Sequence, residues 1–316
     1  MEFLRVDHLR QRAVWFYPVL RILWVWVIPV AVLSMVVFKI HEGDFNWSFF
    51  HLMDMSWLLV AVSLLPLNLL IEAYAWYYLI RDMDNKSFVE VWKVTLIGRS
   101  VNVLTPFGLG DAVVRLGDIA RQDRVKAVSA LAVVRFSQMV PTFIFGSVSV
   151  FFLILLGAKL FSLTVVLGSC LGVFLMLVIA YLSFKDKIHS QMERYRLSFM
   201  NYQWRQWLYV LLLSSCRYVI FSLQFLMVFY VLKINLDAHI ILLGVFWIFL
   251  IKTFIPNVTA LGDLMNRELS AALFFSFFHV DMALIGIASA LIWLVNIILP
   301  ALIGLLFISG FSRKHL

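Results

Sequence analysis

Uninterrupted apolar runs of about twenty residues or more constrain this chain most strongly. They lie at roughly 18–38, 55–80, 127–157, 159–184, 207–232, 238–255 and 281–309. Each meets or approaches the roughly 20 residues a helix needs to cross the hydrocarbon layer, and a fold in water has no means of hiding so many. The runs lack strand alternation and are too long for barrel strands, so backbone hydrogen bonds at membrane depth must be satisfied within helices. Composition agrees: 63% of the 316 residues are hydrophobic and only 14% charged, against about 45–50% and 25% in soluble domains. Soluble, disordered and nucleic-acid-binding classes are excluded. The expectation is a single transmembrane domain over 1–316, an all-α polytopic membrane protein with about 7–8 spans.

The formal charge of +8 then reads as topology, because Lys and Arg collect in cytoplasmic loops. The N-terminal tail carries Arg5, Arg10 and Arg12; 81–126 and 185–206 are rich in Lys and Arg, while 39–54 holds only Lys39 among His41, Glu42, Asp44 and His51. This alternation places the N-terminus in the cytoplasm of a bacterial-type inner membrane, with the first run an uncleaved anchor. The side of the C-terminus depends on whether 253–280 crosses. Cys170 and Cys216 fall inside apolar runs and read as small core residues. Trp47, Trp57, Trp204 and Trp207 fit interfacial belts.

Two stretches resist simple spanning. One, 81–126, is mixed and interrupted by Pro106, Gly108 and Gly110; the other, 253–280, contains Pro256, Gly262, Asp263, Arg267 and Glu268. Both read as broken or re-entrant segments, tolerated at membrane depth only inside protein or along a cavity. Both contain Leu-Gly-Asp-x-x-x-Arg after a proline, at Asp111/Arg115 and Asp263/Arg267, 152 residues apart. Ser129-Ala-Leu131, Pro141 and Gly146 follow the first; Ser289-Ala-Leu291, Pro300 and Gly304 follow the second. A duplicated unit, with repeats approximately over 18–184 and 207–309, accounts for this economically. Parallel and inverted arrangements both stay open.

Proline and glycine stop the preceding helix and allow a tight turn. Asp111 and Asp263 fall where an N-cap belongs, with an arginine four residues on along the same face. Around Asp111 that face is expected to continue through Asp118 and Gln122. Free N–H groups at a helix start beside an arginine fork suit a phosphate. Paired Gly/Pro-interrupted segments in matching halves also point to a transporter's binding site. The bland alternative is a surface turn whose Asp–Arg pair only caps a helix. Further ionisable groups lie within spans: Glu72 beside Asn68, Arg217 and Gln224 in one run, and Arg135 with Gln138 in another. Each costs several kcal/mol there, about 2.5–3.5 on insertion scales. Glu72 either carries a coupling proton or pairs with Arg217; Arg135 either acts in the site or snorkels; Lys252, near a span end, reads as an anchor.

The residues Gly98-Arg99-Ser-Val-Asn102-Val-Leu-Thr-Pro106, Leu109-Gly110-Asp111, Arg115, Pro256, Leu261-Gly262-Asp263 and Arg267-Glu268 resemble the lysylphosphatidylglycerol synthase/flippase transmembrane-domain family over nearly the whole chain. The family often has Glu at the two Asp positions and Arg in the helix after each motif; Arg135 supplies the first and Trp293 stands near the second. Members that make lysyl-lipid carry a separate soluble catalytic domain, so the resemblance implies translocation rather than aminoacyl transfer. No phosphate loop, metal-ligand spacing or nucleophile elbow occurs, and no cofactor or metal is expected. The leading expectation is a translocase for an anionic, aminoacylated or isoprenoid-linked lipid, with Arg99, Asn102, Pro106, Gly110, Asp111, Arg115, Arg135, Pro256, Gly262, Asp263, Arg267 and Glu268 binding the lipid. Glu72, Arg217 and Gln224 form a possible coupling group. The alternatives are a membrane-embedded enzyme acting on a lipid headgroup, with Asp111, Asp263 or Glu72 as acid or base, or a non-catalytic partner of a lipid-synthesis enzyme.

Overall fold

A computed structural model describes residues 53–83, 85–156, 202–255 and 259–315. The expected spans 18–38 and 159–184, together with Pro256 and Cys170, lie outside the described residues. Among the described residues every regular element is helical. In chain order these are α1 (Met55–Ile80), α2 (Phe88–Leu104), α3 (Gly110–Gly117), α4 (Arg124–Leu155), α5 (Trp204–Val231), α6 (Ala238–Phe254), α7 (Ala260–Phe275), α8 (Met282–Trp293) and α9 (Leu299–His315). A π-helical turn, Leu294–Ile298, joins α8 to α9. Pro300 accounts for it, since proline has no N–H to give and its ring crowds the carbonyl four residues back. Helix α1, α4 with the short turn before it, α5, and the continuous α8–α9 helix are each long and apolar enough to cross a membrane.

The order of elements is the same in both stretches: a long helix, a 17-residue helix, a break, a helix carrying Asp and Arg, then a long helix. Helices α1 and α5 form the central pair. Asp54 N–H donates to the Val231 carbonyl, Gln224 Nε2 to the Ala61 carbonyl and Arg217 Nε to Asn68 Oδ1. As one number rises the other falls, so these corresponding helices run antiparallel and the two units lie in opposite senses. This is the inverted arrangement.

The remaining pairing is crossed between the units. Helix α2 packs antiparallel against α9 of the other unit, with Ser100 Oγ donating to the Ala301 carbonyl at 2.5 Å. Helix α6 packs antiparallel against α4, with Ser149 Oγ donating to the Leu243 carbonyl at 2.7 Å. The two glycines at matching places are the points of closest approach. A Cβ on Gly304 would strike the Leu96 carbonyl, and one on Gly146 would lie 2.7 Å from the Leu250 side chain.

Among the described residues, two apolar clusters are the largest of five. One joins α5, α6, α7 and α8 around Phe225, Ile248, Phe274 and Ile292. The other joins the C-terminal half of α1 to the starts of α2, α4 and α5 around Trp76, Val91, Val133 and Val210. Along α1, α4 and α5 the residues between the clusters include Glu72, Arg135 and Arg217. A polar stratum therefore lies between two dry layers. Cys216 is exposed on α5, so it faces outward rather than filling the core.

Candidate functional site

Helix α2 starts with a capping box between Ser87 and Glu90 and ends at Leu104. Thr105 precedes a proline, which disfavours helical backbone, and it adopts φ −110° and ψ 142°. Phe107 and Gly108 both take positive φ, 57° and 66°, and reverse the chain. Helix α3 then folds back onto α2. Gly110 permits this contact, because a Cβ there would lie 2.5 Å from the Val101 carbonyl carbon. Gly98 leaves room for the carboxylate of Asp111, which a Cβ would meet at 2.6 Å.

Asp111 is not the N-cap of α3. That place belongs to Leu109, and Asp111 sits in the first turn. The orphan N–H groups are taken from across the break: Thr105 Oγ1 accepts from Gly110 N at 2.8 Å, and Asn102 Oδ1 from Asp111 N at 3.4 Å. The Asp111 carboxylate is thereby released for the arginines. Nor does its helical face continue to Gln122, because α3 ends at Gly117 and Asp118 pairs with Lys86 at 2.7 Å.

The Asp–Arg pair is no surface turn. Arg115 and Asp111 are both buried, and Arg115 bridges two acids, donating from Nε to Asp111 Oδ1 at 2.7 Å and from Nη2 to Glu72 Oε1 at 2.8 Å. Glu72, 1% exposed, also pairs with Arg99 and, at 3.1 Å, with Arg217. Arg135 reaches the second oxygen of Asp111 from α4, while its own side chain remains 44% exposed. Of the two readings open for Glu72, pairing with Arg217 is what the structure contains, and Arg99 and Arg115 share it. Gln224 is not brought in; its amide donates to the Ala61 carbonyl, two turns away along α5.

The second unit repeats the central contact with different surroundings. Thr259 is the N-cap of α7, accepting from Gly262 N at 3.0 Å, so Asp263 too lies within the first turn. Arg267 Nε donates to Asp263 Oδ2 at 2.8 Å, matching Arg115 and Asp111. The second carboxylate oxygen is taken by Lys252 of α6 at 2.6 Å, so Lys252 is a member of the site rather than an anchor. Trp293 donates from Nε1 to the Ala260 carbonyl at 3.2 Å and fixes the start of α7. Glu268, five residues from Asp263, turns towards α8, where a Cβ on Gly286 would lie 3.2 Å from its Oε1. Pro106 shapes the break and is exposed.

Among the described residues, six cations (Arg99, Arg115, Arg135, Arg217, Lys252 and Arg267) pair with three carboxylates (Glu72, Asp111 and Asp263) in the two centres. Arg99 Nε and Arg267 Nη1 are, among the described residues, buried donors with no acceptor. Beside this stratum a cavity of about 530 Å³ opens between α4 and α5, with Phe136, Met139, Val140, Phe143, Trp204 and Leu208 among its walls.

Lys252, Thr105, Thr259 and Trp293 were not among the expected site residues. The two threonines had a local signal, since each precedes a Leu-Gly-Asp. Lys252 had none, because only folding the chain across the break brings it to Asp263.

These features define a class: polytopic α-helical membrane proteins in which two broken hairpins of opposite sense enclose a buried charged stratum. The chain belongs to the family described as the Lysylphosphatidylglycerol synthase TM region, whose profile matches residues 18–304. No curated protein and no solved structure matches it. It is thus an integral membrane protein of that family, and a lipid-related function in the membrane accords with the membership.

Proposed function

We propose that the protein is a lipid translocase of the cytoplasmic membrane, with a cytoplasmic N-terminus, that carries a phosphate-bearing headgroup between leaflets without modifying it. The excess of cations over carboxylates among the described residues of the two centres, held on two inverted broken hairpins, is the observation that supports this reading most directly. Arginine forks bind phosphate oxygens in pairs, and a site of surplus positive charge between dry layers attracts a charge that lipid alone excludes. Arg99, Arg135 and Arg267 receive the phosphate. Arg115 and Arg217, tied to Glu72 and Asp111, set the positions of the others. Hydrocarbon chains lie in the apolar cavity between α4 and α5 and beyond it in the bilayer. Alternation between two packings of the crossed units presents the headgroup to each side in turn.

The test is leaflet exchange of labelled lipid in proteoliposomes, comparing wild type with Arg115→Ala and Arg267→Ala. Wild type is expected to accelerate exchange over protein-free vesicles and both variants to lose most of the gain. Exchange no faster than in empty vesicles sinks the translocase reading. A chemically altered lipid instead favours an enzyme, and variants as active as wild type favour a scaffold for a lipid-synthesis enzyme.

A further inference from the structure

The groove between α4 and α5 follows from the pattern of the two helices. On α4, Phe136, Met139 and Phe143 recur at helical spacing; on α5, Trp204, Leu208 and Leu211 do the same. The two apolar stripes line a cavity of about 530 Å³, in the range of ligand pockets. The helices begin at the same end. Tyr202 donates from its hydroxyl to the Lys126 carbonyl at 3.4 Å, and Val133, Val134 and Val210 share one apolar cluster.

The two ends of the groove differ in chemistry. At the far end Phe143 meets Phe254 of α6 edge to face, with ring centroids 5.8 Å apart. At the near end Trp204, the first residue of α5, is 67% exposed, and the Arg205 guanidinium lies 6.0 Å from the centre of its ring. A tryptophan exposed at the start of a spanning helix suits the membrane–water interface, and arginine there draws anionic headgroups. Arg121, Arg124 and Lys126 are exposed around the start of α4, on the same side.

We infer that this groove holds one chain of an anionic membrane lipid, whose phosphate lies at Arg205 beside Trp204 in the leaflet where α4 and α5 begin. An apolar slot with a cation at its interfacial end matches an amphipathic anion. The chain's own apolar run 159–184 contains no Asp or Glu to meet that cation. The lipid sits at the rim of the protein with its headgroup outside the charged stratum. The inference therefore does not rest on the translocase reading, since an enzyme or a scaffold holds the same lipid here.

Full-length protein in detergent is titrated with phosphatidylglycerol and phosphatidylcholine whose chains carry bromine, which quenches tryptophan on contact. Trp204 and Trp207 both line the groove. Quenching is expected to saturate, and a protein with both Trp204→Phe and Trp207→Phe is expected to lose the saturable part. Phosphatidylglycerol should half-saturate at a concentration about fivefold below phosphatidylcholine, the worth of one arginine near an anionic lipid surface. Arg205→Gln should bring the two lipids level. Arg205→Lys should keep the preference, as should Lys86→Gln, whose partner is Asp118 outside the groove. Equal half-saturation by the two lipids in wild type overturns the inference, as does a preference that survives Arg205→Gln. Quenching undiminished in the double Phe variant also overturns it. So does a crosslink from Leu208→Cys to a cysteine substituted within 159–184, in a protein that shows no saturable quenching: the chain itself then fills the groove. Saturable, selective quenching by a protein that leaves leaflet exchange at the empty-vesicle rate upholds this inference and removes only the translocase reading.

Discussion

Glu72 is the residue on which the first centre depends. It accepts from Arg99, Arg115 and Arg217 and is 1% exposed, so its removal leaves three buried guanidinium groups without the acid they share. We predict that Glu72→Gln lowers stability by about 3–5 kcal/mol, the usual cost of removing one partner of a buried pair. Adding Arg217→Gln should recover part of that loss, because the second change removes a cation the first left unmatched. Thermal unfolding in detergent checks both, and a single variant as stable as wild type refutes the account. Arg115 gives a second prediction. Its Nε and Nη2 serve two different acids at once, which the single ammonium of lysine does not reproduce. Arg115→Lys should therefore lose most of the exchange activity that Arg115→Ala loses; near wild-type exchange would show that charge alone suffices. Glu72 stood out in the sequence because ionisable residues in apolar runs are expensive, and the Asp–Arg pairs because the same motif recurs 152 residues apart. Their partners were less legible. Arg99 reads equally as loop charge, and Asn68 meets Arg217 across 149 positions of chain.

At the scale of elements, the crossed helix pairs rest on two glycines whose surroundings differ. The Cβ of an alanine at 304 would meet the backbone carbonyl of Leu96 and the hydroxyl of Ser100. At 146 it would meet only the side chain of Leu250. Backbone has less freedom to yield than a leucine. Gly304→Ala should therefore destabilise by about 1–3 kcal/mol, the range for overpacking, and Gly146→Ala by less. Shortening Leu250 to alanine should relieve the second and leave the first unchanged. Melting temperatures of the four variants decide it, and equal losses at both glycines contradict the argument. The spans at 55–80, 127–157, 207–232 and 281–309 were legible from run length alone. The two breaks were legible from proline and glycine, because those residues act through local backbone geometry. The pairing of α2 with α9 and α6 with α4 was not, since an apolar helix in lipid shows little of which apolar neighbour it will choose. The caps were misplaced for a related reason: Thr105 and Asn102 reach across the break and leave Asp111 free for arginine.

In the whole molecule the largest single packing partner of each short helix is a long helix of the other unit, α9 for α2 and α4 for α6. Co-expressed fragments 1–200 and 201–316 should therefore assemble and co-purify, with Arg217 of one completing the site around Glu72 of the other. Either fragment alone should be lost to degradation or aggregation. A stable, monodisperse 201–316 fragment would show that the exchange of helices is not required for folding.

Lys252 and Arg135 hold the second oxygens of Asp263 and Asp111 from helices that do not correspond. A single unit of this kind would find its missing surfaces only in another copy of itself, and a symmetric pair must use the same residue twice. Joining two units in one polypeptide lifts that requirement. One acid can be served by an arginine from a long helix and the other by a lysine from a short one, with Trp293 near the position of the second arginine. Symmetry then supplies the architecture, and departures from it make the surroundings of the two carboxylates chemically unlike.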